Sequence, residues 1–114
     1  MQLKRVVVTG IGALTPIGNN LEAYWEGLRT GKSGSAPITY FDTEKFKTKF
    51  ACELKGYDPM DFFDRKEARK LDKFAQYALV SSDEAIADSG IDLDVVDKFR
   101  VGVVWGAGIG GLET

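Results

Sequence analysis

The chain has 114 residues, with 15 basic and 17 acidic side chains, one cysteine and no histidine, for a formal charge of −2. That length holds one domain or a piece of one, with burial expected for roughly two-thirds of the surface its unfolded form exposes. At 44% hydrophobic and 28% charged it reads as globular rather than disordered; the missing histidine excludes Ser-His-Asp and Cys-His pairs, the single cysteine excludes an internal disulfide or a thiolate zinc site, and the near-balanced charge argues against a general nucleic-acid binder.

Residues 3–8 form a short β-branched run ending at Thr9-Gly10, the pattern of a strand buried on both faces of a parallel sheet. Lys4-Arg5 before Val6-Val7-Val8 mimics a signal peptide only faintly, because Gly10, Gly12 and Pro16 cut the apolar run. No stretch of about 18 apolar residues occurs, so no membrane span is expected. After a glycine-rich loop over 10–18, Asn19 or Asn20 can cap a helix whose Leu21, Tyr24, Trp25 and Leu28 share one face and whose end suits Gly31. Residues 38–41 read as a short strand. In 48–54 the alternation predicts a half-buried strand, with Phe50, Cys52 and Leu54 facing inward.

The strongest pattern predicts one helix over 65–89. Asp64 and Glu67 resemble a capping box, Gly90 is the stop, and Leu71, Ala75, Ala78, Leu79, Ser82 and Ile86 form the inner face. Residues 92–98 read as a polar connection and 99–105 as a second buried parallel strand. Gly106-Ala107-Gly108-Ile109-Gly110-Gly111 then makes a strand-to-helix turn. That last unit is unfinished at Thr114, which predicts the amino-terminal portion of a larger protein.

Five features carry candidate chemistry. Gly106-x-Gly108-x-x-Gly111 matches a dinucleotide-binding fingerprint only weakly, since the chain ends before the following helix and the acidic residue such a site needs about 20 positions on. Gly10-Ile11-Gly12 also follows a strand, with Asp42 as a conceivable ribose acid, yet Thr15 stands where the third glycine belongs. Cys52, on an apolar strand face without a histidine to activate it, reads as a small buried hydrophobe. The acids Asp83, Glu84, Asp88, Asp92, Asp94 and Asp97 read as solvated surface. Sharper is the stretch 65–73, where Lys66, Arg69, Lys70 and Lys73 fall in one stripe of a helix opposite Leu71, Ala75 and Ser82. Two readings of the stripe stand: the wet side of an amphipathic helix, or an anion dock at the positive end of a helix dipole, facing a phosphate or an acidic protein surface.

These residues also carry a resemblance. Arg5-Val6-Val7-Val8-Thr9-Gly10-Ile11-Gly12, Thr15-Pro16-Ile17-Gly18, Phe41-Asp42, Lys49-Phe50-Ala51, Asp64-Arg65-Lys66-Glu67, Arg69-Lys70-Leu71-Asp72 and Phe74-Ala75-Gln76-Tyr77-Ala78 are similar to the opening of β-ketoacyl-acyl carrier protein synthases of the type II elongating branch. Gly106 to Gly111 is similar to that family's G-S-G-I-G-G turn. The likeness covers the whole chain in order, as residues 1–114 of a ketosynthase domain that is itself incomplete here.

The resemblance implies an α/β, thiolase-like fold with layered αβαβα architecture, of which this is the first part of the amino-terminal half. It implies cytoplasmic fatty-acid elongation by a homodimeric parent without cofactor, metal, membrane or nucleic acid. In the family a cysteine takes an acyl chain from acyl carrier protein. Two histidines then assist decarboxylation of the malonyl thioester, and the carbanion attacks the acyl thioester. None of those catalytic residues is expected in this chain: histidine is absent, and Ala51-Cys52-Glu53 lacks the Ser/Thr and the helix start of the family's nucleophile. Two roles match residue by residue. Lys66, Arg69 and Lys70 match the carrier-protein dock. Ile109 matches a residue lining the acyl pocket, where Gly108 and Gly110 allow close backbone approach. Ala107 replaces the common serine and Trp105 is unusually bulky, which bears on the pocket's shape. Two rival readings remain, a Rossmann-like nucleotide-binding domain and a non-catalytic ketosynthase-like partner.

Overall fold

The computed structural model describes residues 1–112. Helix α1, Leu21–Thr30, starts where the Asn20 side chain accepts the Ala23 amide at 2.8 Å, and ends at Gly31 in the left-handed region at φ 69°. Strands β1 (Ala36–Pro37) and β2 (Phe50–Ala51) form a small antiparallel pair with Ala36 opposite Ala51 and Pro37 opposite Phe50. A 3-10 turn over Pro59–Asp61 leads to helix α2, Arg65–Ala68, and then to helix α3, Lys73–Ser89.

The long helix expected over 65–89 is therefore two helices. Asp64 caps α2 through Oδ1, which accepts the Glu67 amide at 2.7 Å. The chain then turns through Arg69 to Leu71, and Asp72 adopts extended backbone (φ −62°, ψ 156°) as the first residue before α3. The Asp72 carbonyl accepts the amides of both Ala75 and Gln76 at 3.0 Å. Helix α3 stops at Gly90, as expected. Its inner face matches the expected one at Ala78, which is buried, and differs in that Gln76 and Val80 are buried too while Leu79 is 41% exposed.

The hairpin also inverts one expectation. Phe50 is 63% exposed and Cys52 is exposed, while Ala51 and Glu53 are half-buried. The Glu53 carboxylate accepts the Thr39 amide at 3.1 Å and the Thr39 hydroxyl at 2.8 Å, which draws the Ala51–Glu53 side of the strand toward its partner. The reversal covers Phe50 and Cys52 but stops at Leu54, which is half-buried as expected. Cys52 is thus an exposed thiol rather than a core hydrophobe.

The segments expected as buried parallel strands are unpaired. Residues 3–8 make no backbone hydrogen bond among the described residues, and Val6 is 89% exposed. Over 99–105, a 3-10 turn at Lys98–Arg100 precedes an exposed stretch. The radius of gyration is 17.4 Å, against about 13 Å for a compact domain of this length. The accessible area of 9510 Å² compares with about 18,000 Å² for the unfolded chain. About half of the surface is buried instead of the expected two-thirds.

What does pack is the loop before α1 against α3. A Cβ on Gly12 would run into the Ser81 carbonyl, and one on Gly10 into the Ala85 carbonyl and the Ser89 backbone. Glu84, half-buried on α3, accepts the Ala13 amide at 2.8 Å and the Leu21 amide at 2.7 Å. Asp88 accepts the Ile11 amide at 2.9 Å. Glu84 is thus a half-buried anchor rather than solvated surface, while Asp88 is exposed as expected and still holds the loop.

Replacing Gly12 by Ala should lower the unfolding free energy by about 1–3 kcal/mol, read from a denaturant midpoint, because the new methyl group meets backbone that cannot yield. At the hairpin, desolvation alone would raise the Glu53 pKa. Hydrogen bonds from the Thr39 side chain and amide and the Tyr40 amide, with the nearby Lys55 charge, outweigh it and hold the carboxyl below the ordinary glutamate value. The stabilisation is complete above the unfolded pKa and is lost as pH falls through the lowered folded value. Thr39→Val should therefore flatten the acid limb of the stability profile while leaving its slope near neutral pH unchanged.

Candidate functional site

The basic stripe becomes a turn in three dimensions. Lys66 lies on α2, and Arg69 and Lys70 lie in the link to α3; all three are exposed and form no ion pair among the described residues. The Lys70 amide donates to the Glu67 carbonyl at 2.9 Å, which closes the turn. Lys73 does not join them. It begins α3 half-buried, with Nζ 3.9 Å from the centroid of the Tyr40 ring. Four residues of α2 are too few for the dipole effect expected of a long helix, so the group acts as three exposed point charges.

The glycine turn lies on the other side of the same helix start. Asp72, Lys73 and Phe74 line a cleft of about 370 Å³ together with Ile109, Gly110, Gly111 and Leu112. Gly110 has φ 77°, which favours glycine, and its amide donates to the Ala107 carbonyl at 3.2 Å. Gly111 lies directly on the Asp72 carboxylate, leaving no room for a side chain. Gly108 has open space around it. Ile109 is 83% exposed at the cleft edge. Asp72 and Lys73 also line a second cleft, of about 470 Å³, with Arg69, Leu71, Tyr57 and Gln76. The structure thus places the basic turn and the glycine turn on two sides of a single helix start.

Residues outside the sequence-derived set complete the site: Asp72, Tyr40, Tyr57 and Gln76. Gln76 is buried at 7% exposure. Its signal in the sequence was weak but present, since it stands four residues before Val80, which is also buried. The glycines and the acid of the first candidate nucleotide loop are otherwise engaged. Gly10 and Gly12 approach α3, and Asp42 accepts the Glu44 amide at 3.0 Å in a local turn.

A sequence model of the family described as "Beta-ketoacyl synthase, N-terminal domain" matches residues 3–114. The 3-oxoacyl-[acyl-carrier-protein] synthase 2 of Synechocystis sp. is 45% identical over 113 residues, covering 99% of this chain and 27% of that protein. The protein of the same name from Staphylococcus aureus (strain COL) is 47% identical over 113 residues, with the same coverage of 99% and 27%. The chain therefore spans about a quarter of the length of these curated relatives, as the 27% coverage shows. Among solved structures, the ishigamide ketosynthase/chain length factor aligns with a TM-score of 0.69 at 38% identity, over 77% of this chain and 22% of that one. A type II polyketide synthase acyl-carrier protein in complex with its ketosynthase aligns with a TM-score of 0.60 at 26% identity, over 84% and 25% of the two chains.

The contact between the two halves of the site is testable. Gly111→Ala should lift the turn from Asp72 and change the emission of Trp105, six residues upstream; Gly102→Ala, in open space, should not.

Proposed function

Because the chain belongs to the β-ketoacyl synthase family through its N-terminal domain, we propose that it is the front portion of a type II elongating synthase acting in fatty-acid synthesis. Residues 1–114 are read as the beginning of a thiolase-like ketosynthase domain with layered αβαβα architecture in the cytoplasmic parent, a homodimer. The reaction is a decarboxylative Claisen condensation. An acyl group is held as a thioester, malonyl-acyl carrier protein loses carbon dioxide, and the resulting carbanion forms the new carbon–carbon bond as the thiolate leaves. The nucleophilic cysteine and both histidines belong to the longer parent, and Cys52 is not given that role.

This chain's share is recognition. The observation that carries the proposal is the common helix start. Lys66, Arg69 and Lys70 present unpaired positive charge on one side, suited to an acidic carrier protein, and Ile109 and Gly110 border the cleft on the other, with Gly108 just before them in the same turn. The unpaired segments over 3–8 and 99–105 are read as sheet strands whose partners lie in the rest of the parent. The solved complex of a ketosynthase with its acyl-carrier protein supports the same partner class.

The dock is tested by charge reversal. Lys66→Glu, Arg69→Glu and Lys70→Glu together should weaken acyl-carrier-protein binding by about tenfold or more at low salt and flatten its salt dependence. Unchanged affinity would return the stripe to a wet surface. The chain by itself should show no condensation, and turnover above blank would overturn the division of labour. Saturable NAD(P) quenching of Trp25 and Trp105 would favour the nucleotide-binding rival. A parent lacking the cysteine or the two histidines would favour the non-catalytic one.

A further inference from the structure

We propose that Gln76, backed by Tyr57, is a positioning residue for the basic turn: its side-chain amide holds the carbonyls of Ala68 and Leu71 and so fixes where Arg69 and Lys70 stand. The inference deepens the docking role proposed above and rests on it.

The geometry is specific. Gln76 Nε2 donates to the Ala68 and Leu71 carbonyls, both at 3.0 Å, and Oε1 accepts the Tyr57 hydroxyl at 2.9 Å. Two carbonyls can only accept, so the amide nitrogen must face them, and its two hydrogens are both used. The Tyr57 ring is fixed in turn, stacked on Phe62 at 5.9 Å and edge-on to Tyr77 at 5.3 Å. Desolvation, then the Asp58 charge, raises the Tyr57 pKa, so its hydroxyl stays a donor.

Those two carbonyls bracket Arg69 and Lys70. In a continuous helix they would accept the amides of Asp72 and Ala75, four residues on. The extended backbone at Asp72 breaks that ladder, and the Ala75 amide goes to the Asp72 carbonyl instead. Gln76 replaces the lost donors from its side chain. Without it, buried carbonyls would lack partners, and the competing arrangement is the straight helix. A straight helix would return Lys73 to the stripe. The kink sends Lys73 to the Tyr40 ring and leaves Lys66, Arg69 and Lys70 as a separate exposed group.

The test uses the full 114-residue chain, titrated with acyl carrier protein at low and high salt. Gln76→Met keeps the side chain's length and removes its hydrogen bonds. It should weaken binding about tenfold while preserving the salt dependence, since every charge remains. Tyr57→Phe removes one hydroxyl, leaves the rings stacked, and should cost about threefold, which keeps the idea testable if Gln76→Met does not fold. Val80→Ala, on the same helix but away from the turn, serves as a control for general destabilisation and should bind like the unaltered chain. The proposal is overturned if Gln76→Met and Tyr57→Phe bind within about twofold of the unaltered chain while the triple charge reversal abolishes binding, a result that leaves the dock itself intact. It is equally overturned if Val80→Ala weakens binding as much as Gln76→Met. If the charge reversal has no effect, the docking role fails first and the positioning role with it.

Discussion

One carboxylate holds the described part of the molecule together. Glu84 sits halfway along α3 and accepts two backbone amides from separate places, Ala13 in the glycine loop and Leu21 at the start of α1. Both amides lie where the chain has no backbone partner to give them. A side-chain acceptor there joins three segments that share little apolar contact. The glycines make the arrangement possible. With any side chain at positions 10 or 12 the loop would stand off from α3, and the carboxylate would not reach. The buried side chains among the described residues are small or polar, Ala13, Ala68, Ala78, Val80 and Gln76. The fold over these 112 described residues is therefore secured by directed hydrogen bonds and close backbone approach more than by a filled core.

Much of the local structure was legible because it rests on local chemistry. Asn20, Gly31, Asp64 and Gly90 each act at the helix end their residue type suggests. The tertiary choices were not. Nothing in the run over 65–89 announces that Asp72 will leave the helical region, because the donor that makes the break tolerable, Gln76, lies inside the next helix. The strand at Phe50 had an ordinary alternating pattern, and the wrong face was chosen for burial. The deciding bond comes from Thr39, which the pattern of one strand cannot include. Glu84 and Asp88 looked like surface acids because their partners are backbone amides, invisible to any reading of side-chain types.

The candidate site was legible in its charges and illegible in its geometry. Lys66, Arg69 and Lys70 were found as a stripe, and family likeness singled out the same three. The stripe assumed a continuous helix, and only the kink explains why Lys73 stands apart, against Tyr40. In the glycine turn, Gly108 and Gly110 have open space around them, and one other position makes a close approach. The neighbour is the Asp72 carboxylate and the glycine is Gly111.

The three consecutive valines at positions 6–8 stand in solvent, and their backbone groups make no backbone hydrogen bond among the described residues. A β-branched run of that kind, without proline, is a ready surface for stacking against an identical run on a neighbouring molecule. Lys4 and Arg5 are the gatekeepers beside it, and their mutual repulsion between copies weakens as ionic strength rises. For the isolated chain, added salt therefore works against the charges that keep such runs apart.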